Sequence, residues 1–181
     1  MDVDKLIEAV IAREGSYSNH PADRGGKTRW GITETVARAQ GYEGAMNALP
    51  RSIAVTLYRT LYWHEPRLDD IAKISAIIAE KLFDCGVNMG PRTAIRFLQR
   101  GLNALNRQEQ DYADLANDGR IGPATLAALR AFQYRRGQQG EKVLRRAIEA
   151  LQATHYIHLA EQRPANEAFL YGWLSNRIGT L

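Results

Sequence analysis

Two carboxylates and a hydroxyl lie close together near the start of this chain of 181 residues: Glu14, then Asp23 after eight intervening residues, then Thr28 after four more. Two carboxyl groups flanking a bound sugar can cleave a glycosidic bond. One protonates the leaving oxygen, and the other activates a water or attacks the sugar carbon. Tyr17 and Trp30 lie in the same stretch and could stack on a sugar face. His20 and Arg29 share it as well. Each residue also has a plain structural explanation. Glu14 could be a solvated helix-end glutamate, Asp23 a turn residue before Gly25-Gly26, Thr28 a strand residue and Trp30 a core residue.

The elements that must hold these groups follow from apolar spacing. Leu6, Ile7, Val10 and Ile11 share a face and predict a helix over 2–14, capped by Asp2 or Asp4 and ended by Gly15. Glu14 then occupies the last turn, where the helix dipole disfavours negative charge and raises a carboxyl pKa. A general acid benefits from that position. Residues 15–32 lose helical periodicity and gather Gly, Pro, Asn and Asp, which predicts a loop or small β-hairpin.

Helices dominate the rest. Thr33 can cap a short one ending at Gly41, and Pro50 can begin another through Ile53, Leu57, Tyr58, Leu61 and Tyr62. Ser75 to Phe83 reads as a buried central helix, Asn88 to Pro91 as a turn, and Pro91 as the start of a helix through Leu102. Residues 106–122 are polar and predict a loop or hairpin. Pro123 begins a helix through Phe132, a long one covers 140–162, and the tail from Phe169 to Leu174 is expected to dock its aromatics on the body. The fold class is mainly α, with a small β element after the first helix. No internal repeat or linker interrupts it.

Composition narrows the chemistry. Hydrophobic residues are 45% of the chain, sufficient for a core, and the net charge of +4 favours polyanionic partners without choosing among them. The lone Cys85 excludes an intrachain disulfide and reads as a small buried residue. His155 and His158 could share a helix face, but no Cys-x-x-Cys or His-Glu-x-x-His motif supplies further ligands, so no metal and no cofactor are expected. The basic cluster from Arg135 to Arg146 lacks any nucleic-acid-binding signature and reads as a solvated helix face. No apolar run approaches the roughly 18 residues of a membrane span. The N-terminus has acids where a signal peptide has bases. A protein synthesised in the cytoplasm, monomeric and without stable membrane insertion, is expected.

The segment Glu14-Gly-Ser-Tyr-Ser-Asn-His-Pro-Ala-Asp-Arg-Gly-Gly-Lys-Thr-Arg-Trp-Gly-Ile-Thr33 closely resembles the signature of the family 108 glycoside hydrolases, N-acetylmuramidases of phage endolysins and related lysozyme-like proteins. Ser16 stands where the family usually has a second glycine. The resemblance continues through Phe83-Asp-Cys-Gly-Val-Asn-Met-Gly-Pro91, Leu98-Gln99, Asp118-Gly-Arg-Ile-Gly-Pro-Ala-Thr125 and Gly172-Trp173. It implies a lysozyme-like catalytic region over 1–90 and a helical peptidoglycan-binding-type region over 91–181, packed into one globular domain.

By the same resemblance, Glu14 is the general acid that protonates the β-1,4 oxygen between N-acetylmuramic acid and N-acetylglucosamine. Asp23 and Thr28 would hold a water on the opposite face. A related group of phage lysozymes spaces the same three residue types by eight and five residues, against eight and four here. Inversion is the expected outcome, which calls for carboxyl groups about 6.5–9.5 Å apart; near 5 Å the reaction would retain configuration. Asp84 and Asn88, four apart, could line the cleft with Tyr17 and Trp30, or could serve as a salt-bridge residue and a turn residue.

The Asp118 to Thr125 stretch resembles a turn of peptidoglycan-binding modules, and a Gly-rich turn feeding a Pro-started helix would also explain it. Peptidoglycan is the implied partner, with host lysis through a holin-like pore as the implied route. Two other readings stay open: a lytic transglycosylase, which leaves an anhydro-muramic end, and a non-catalytic wall-binding or secretion-assisting protein.

Overall fold

The computed structural model describes residues 2–14, 17–18 and 26–179, Glu14 by its backbone only. The chain divides into two compact units, Met1–Glu65 and Pro66–Leu181.

In the first unit, helix α1 (Val3–Glu14) starts at Asp2, whose carboxylate accepts from the backbone N–H groups of Asp4 at 3.1 Å and Lys5 at 3.3 Å. Asp2 is therefore the cap among the two acids available. Ile7, Val10 and Ile11 are buried, as their spacing requires. Among the described residues three two-residue strands follow, β1 (Tyr17–Ser18), β2 (Thr28–Arg29) and β3 (Ile32–Thr33), in one antiparallel sheet of order β1-β2-β3. The expected hairpin is thus a three-stranded sheet. Thr33 then caps α2 (Glu34–Ala39) by accepting from the N–H of Val36 at 3.3 Å.

The helix after Pro50 changes character midway. Helix α3 (Arg51–Leu57) passes into a π-helical segment, Tyr58–His64, closed by Glu65 N–H donating to the Thr60 carbonyl at 2.9 Å. Bonding from i to i+5 brings residues five apart toward one face. Tyr58 and Trp63 are five apart, and both are 1% exposed. A regular α-helix would turn one of these large rings outward.

The second unit is helical throughout its regular structure. It contains α4 (Leu68–Ala72), α5 (Ala76–Met89), α6 (Pro91–Leu105), α7 (Pro123–Gln162) and α8 (Glu167–Arg177). Ser75 caps α5 by accepting from Ile78 N–H at 3.3 Å. Gly90, at φ 87°, separates α5 from α6, whose first residue is Pro91, and α5, α6 and α7 pack pairwise. Gly101 lets α6 approach α7: a Cβ there would meet Leu144 Cδ1 at 2.9 Å. Helix α7 is broken at Gly137 (φ 58°, ψ −157°), so the two helices expected over this stretch follow one another across a kink.

Residues 106–122 form an irregular loop with no strand. Side chains take the place of a strand partner here. Asn103 bonds the N–H and the carbonyl of Leu115, each at 2.8 Å, and Asn106 bonds the Tyr112 carbonyl at 3.3 Å and Asp114 at 2.6 Å. The tail docks its aromatics unevenly. Trp173 packs on Tyr156 and Phe169, with centroids 5.2 and 6.0 Å away. Phe169 and Tyr171 nonetheless remain 56% and 85% exposed. Helical spacing puts residues 169 and 173 on one side and sends 171 elsewhere.

Candidate active site

Glu14 closes α1, so whatever fixes that helix fixes the backbone of Glu14. Two ion pairs do so from the α3 and π-helical segments: Arg51 clasps Glu8 with both terminal guanidinium nitrogens, and Arg59 pairs with Asp4. A forked arginine–carboxylate contact sets orientation as well as distance. Below them Ile7 and Ile11 seat the helix in the core. The Glu14 side chain and Asp23 lie outside the described residues.

The sheet gathers the other candidates of this unit. Tyr17 stands opposite Arg29, and Thr28 opposite Ser18 on one side and Thr33 on the other. Thr28 is half-buried and its hydroxyl donates to the Gly26 carbonyl at 3.4 Å. Tyr17 is 42% exposed, so its ring is open to a ligand.

Trp30 and Gly31 form the two-residue loop between β2 and β3, with φ 55° and 76°. Positive φ at both positions is the pattern of a type I′ hairpin turn. A bulky side chain in that region costs about 1–3 kcal/mol and must be held from outside. Two contacts hold it. The indole N–H donates to the Leu49 carbonyl at 3.0 Å, and the Tyr58 hydroxyl donates to the Trp30 carbonyl at 3.0 Å. The π-helical turn that buries Tyr58 is thus what secures the hairpin loop.

The Arg29 guanidinium lies over the Trp30 ring, 5.1 Å from its centroid, and its buried Nε donor has no hydrogen-bond partner among the described residues. Sequence reasoning places Arg29 in the loop but assigns it no role. Only the cross-strand register brings it beside Tyr17.

Asp84 and Asn88 belong to α5 in the second unit. The Asn88 amide donates to the Asp84 carbonyl at 2.8 Å, an intrahelical bond. Asp84 pairs with Arg177 of α8 at 3.3 Å. Arg177 offers its carbonyl to Lys81 at 3.2 Å, and Lys81 lies 3.7 Å from Glu149, which also takes Arg145 at 3.0 Å. Asp84 is therefore one member of a largely buried charge network joining α5, α7 and α8.

The remaining chemically suggestive residues have structural partners. Burial pushes the Cys85 thiol up to about 12, so it stays protonated at neutral pH. His155 meets Phe97 edge-on at 5.9 Å, and burial, with the nearby His158 charge, lowers its pKa. Among the described residues no three His, Cys, Asp or Glu side chains cluster to hold a metal.

The Asp118–Thr125 stretch is pinned by one buried amide. Gln99 donates to Asp118 at 2.8 Å, to the Arg120 carbonyl at 3.1 Å and to Thr125 at 3.4 Å, and accepts from Gly119 N–H at 2.9 Å. Gly119, at φ 71°, could not carry a Cβ, which would sit 2.7 Å from the Arg92 carbonyl oxygen. These residues build a turn against α6.

Residues 7–90, which run from α1 through the sheet to the end of α5, match the family described as Glycosyl hydrolase 108. They belong to that family. Residues 93–178 match a second family, described as Predicted Peptidoglycan domain. The pair makes the chain a glycoside hydrolase that acts on peptidoglycan. Among solved structures, that of Brucella abortus SagA is similar, with a TM-score of 0.69 and 25% identity over 96% of this chain and 87% of that one. The mainly α, lysozyme-like class implied by the sequence is the class observed. No curated protein matches the hydrolase.

Proposed function

We propose that the chain is an N-acetylmuramidase of endolysin type, cleaving the β-1,4 bond between N-acetylmuramic acid and N-acetylglucosamine. Glu14 protonates the leaving oxygen, while Asp23, with Thr28 beside it, holds the attacking water. Tyr17 and Trp30 receive the sugar faces, and Asp84 and Asn88 extend the glycan-contacting set. Residues 1–90 form the catalytic region and 91–181 the peptidoglycan-binding-type region, in keeping with the reach of the two family matches. In a lytic role the protein reaches the wall through a holin-like pore; no helix among the described residues is long and apolar enough to cross a membrane.

One observation carries the reading: the residue with general-acid chemistry closes a helix clamped at Asp4 and Glu8, and it lies within the glycosyl hydrolase match. The test compares wild type with Glu14→Gln on purified peptidoglycan, with mass spectrometry of the released fragments. The variant is expected to lose about 10²–10⁴-fold in rate, the usual share of a general acid. Wild-type products should end in reducing N-acetylmuramic acid. Anhydro-muramic ends would identify a lytic transglycosylase instead, and equal rates for the two proteins would remove Glu14 from the mechanism.

A further inference from the structure

The second unit contains a cleft of about 430 Å³ at the kink of α7, within the range of roughly 300–1,000 Å³ typical of ligand sites. Leu105, Phe132 and Val143 give it apolar walls, and Arg135 and Arg136 stand at it with charge. Two glycines build it. The backbone at Gly137 takes a conformation reserved for glycine, which breaks the helix beside the arginines. At Gly140, in the cleft lining, a Cβ would collide with Arg136 Cβ at 2.1 Å and crowd Phe132 Cε1 at 3.3 Å.

The two guanidinium groups are available. Arg136 makes no hydrogen bond or ion pair among the described residues. Among the described residues, the acidic neighbour of Arg135 is the distant Asp111 at 3.9 Å, and that carboxylate is already taken by Arg107 at 2.5 Å. Nearby, Arg145 is engaged with Glu149 and adds no further free charge to the cleft.

We infer that this cleft binds the peptide stem of peptidoglycan, its guanidinium groups taking the free stem carboxylates and its apolar walls the alanine methyls. The inference rests on peptidoglycan being the polymer the protein works on. Planar forked donors match carboxylates in pairs. The sugars of the glycan strand offer hydroxyls and acetamides, whereas the stem supplies small apolar side chains together with negative charge.

The experiment is calorimetric titration of the full chain with three probes. These are a disaccharide–tetrapeptide muropeptide, the same compound with its carboxylates amidated, and the stem-free disaccharide. Wild type should bind the first most tightly. Arg136→Ala should weaken that binding about tenfold or more, as expected for loss of a charge-assisted pair. Val143→Trp, made at a residue 37% exposed, should fill the cleft and do the same without burdening the core. Neither variant should slow hydrolysis of stem-free glycan chains.

Equal affinity for the stem-free disaccharide or for the amidated muropeptide, or unchanged affinity in both variants, would overturn the inference. Failure of wild type to hydrolyse any glycan would count against the muramidase reading alone, leaving the titration to decide this one.

Discussion

At the scale of single residues, Trp30 is the position where conformation and recognition meet. Its left-handed backbone is held by the bond from its own indole to Leu49 and by the bond from Tyr58 to its carbonyl. Trp30→Phe keeps an aromatic face but leaves the carbonyl of Leu49, a residue 1% exposed, without its donor. A loss of about 1–2 kcal/mol is expected, with about 1 kcal/mol for Tyr58→Phe. Because both act on one loop, the double variant should lose less than the sum. Urea unfolding of the four proteins measures this, and strict additivity would show that the two bonds hold independent sites. Sequence places Trp30 next to Gly31 but leaves core and sugar platform as alternatives, since nothing local names Leu49 or Tyr58 as partners. The Asp84–Arg177 pair is hidden for the same reason: its two members are 93 residues apart.

At the scale of elements, legibility follows locality. Ser75, Thr33, Pro91 and Pro123 mark helix starts through chemistry confined to the next few residues, and each helix begins where that chemistry says. The π-helical segment is not legible, because it is selected by the simultaneous burial of Tyr58 and Trp63 and not by any local propensity. The kink in α7 is half visible: the sequence separates two helices on either side of Gly137, though not the glycine-only geometry that joins them. That geometry gives a prediction. Gly137→Ala should destabilise the protein by about 1–3 kcal/mol, because φ 58° with ψ −157° is closed to a residue with a Cβ. The neighbouring control is Gln138→Ala, at an exposed position of the same helix, which should change stability little. Equal thermal midpoints for the two variants would mean that α7 can straighten through the kink.

At the scale of the whole molecule, the aspartates and the histidine whose pKa values are shifted lie, among the described residues, in the second unit, and they set how the protein meets acid. Hydrogen bonding holds three aspartates below their ordinary 3.8: Asp70 through Arg67 and Lys73, Asp111 through Arg107, and Asp118 through Gln99 and the Arg120 N–H. Their stabilisation is complete above the ordinary aspartate range and disappears as pH falls through the lowered folded values, where the unfolded chain already carries the protons. His155 acts in a higher window. Burial lowers it from 6.5, so below that pH the unfolded chain takes up a proton before the folded one does, and stability declines. Acidification should therefore weaken the protein in two stages, one beginning near about pH 6.5 and one below about pH 4. Chemical denaturation followed by circular dichroism from about pH 8 to about pH 2.5 would resolve them. Asp118→Asn should reduce only the lower stage, and His155→Gln only the upper. A single stage insensitive to both substitutions would assign the acid response to groups elsewhere in the chain. Added salt should shrink the lower stage for the exposed Asp70–Arg67 pair and spare the Asp118 contribution, which runs through the amide of Gln99, a side chain 1% exposed.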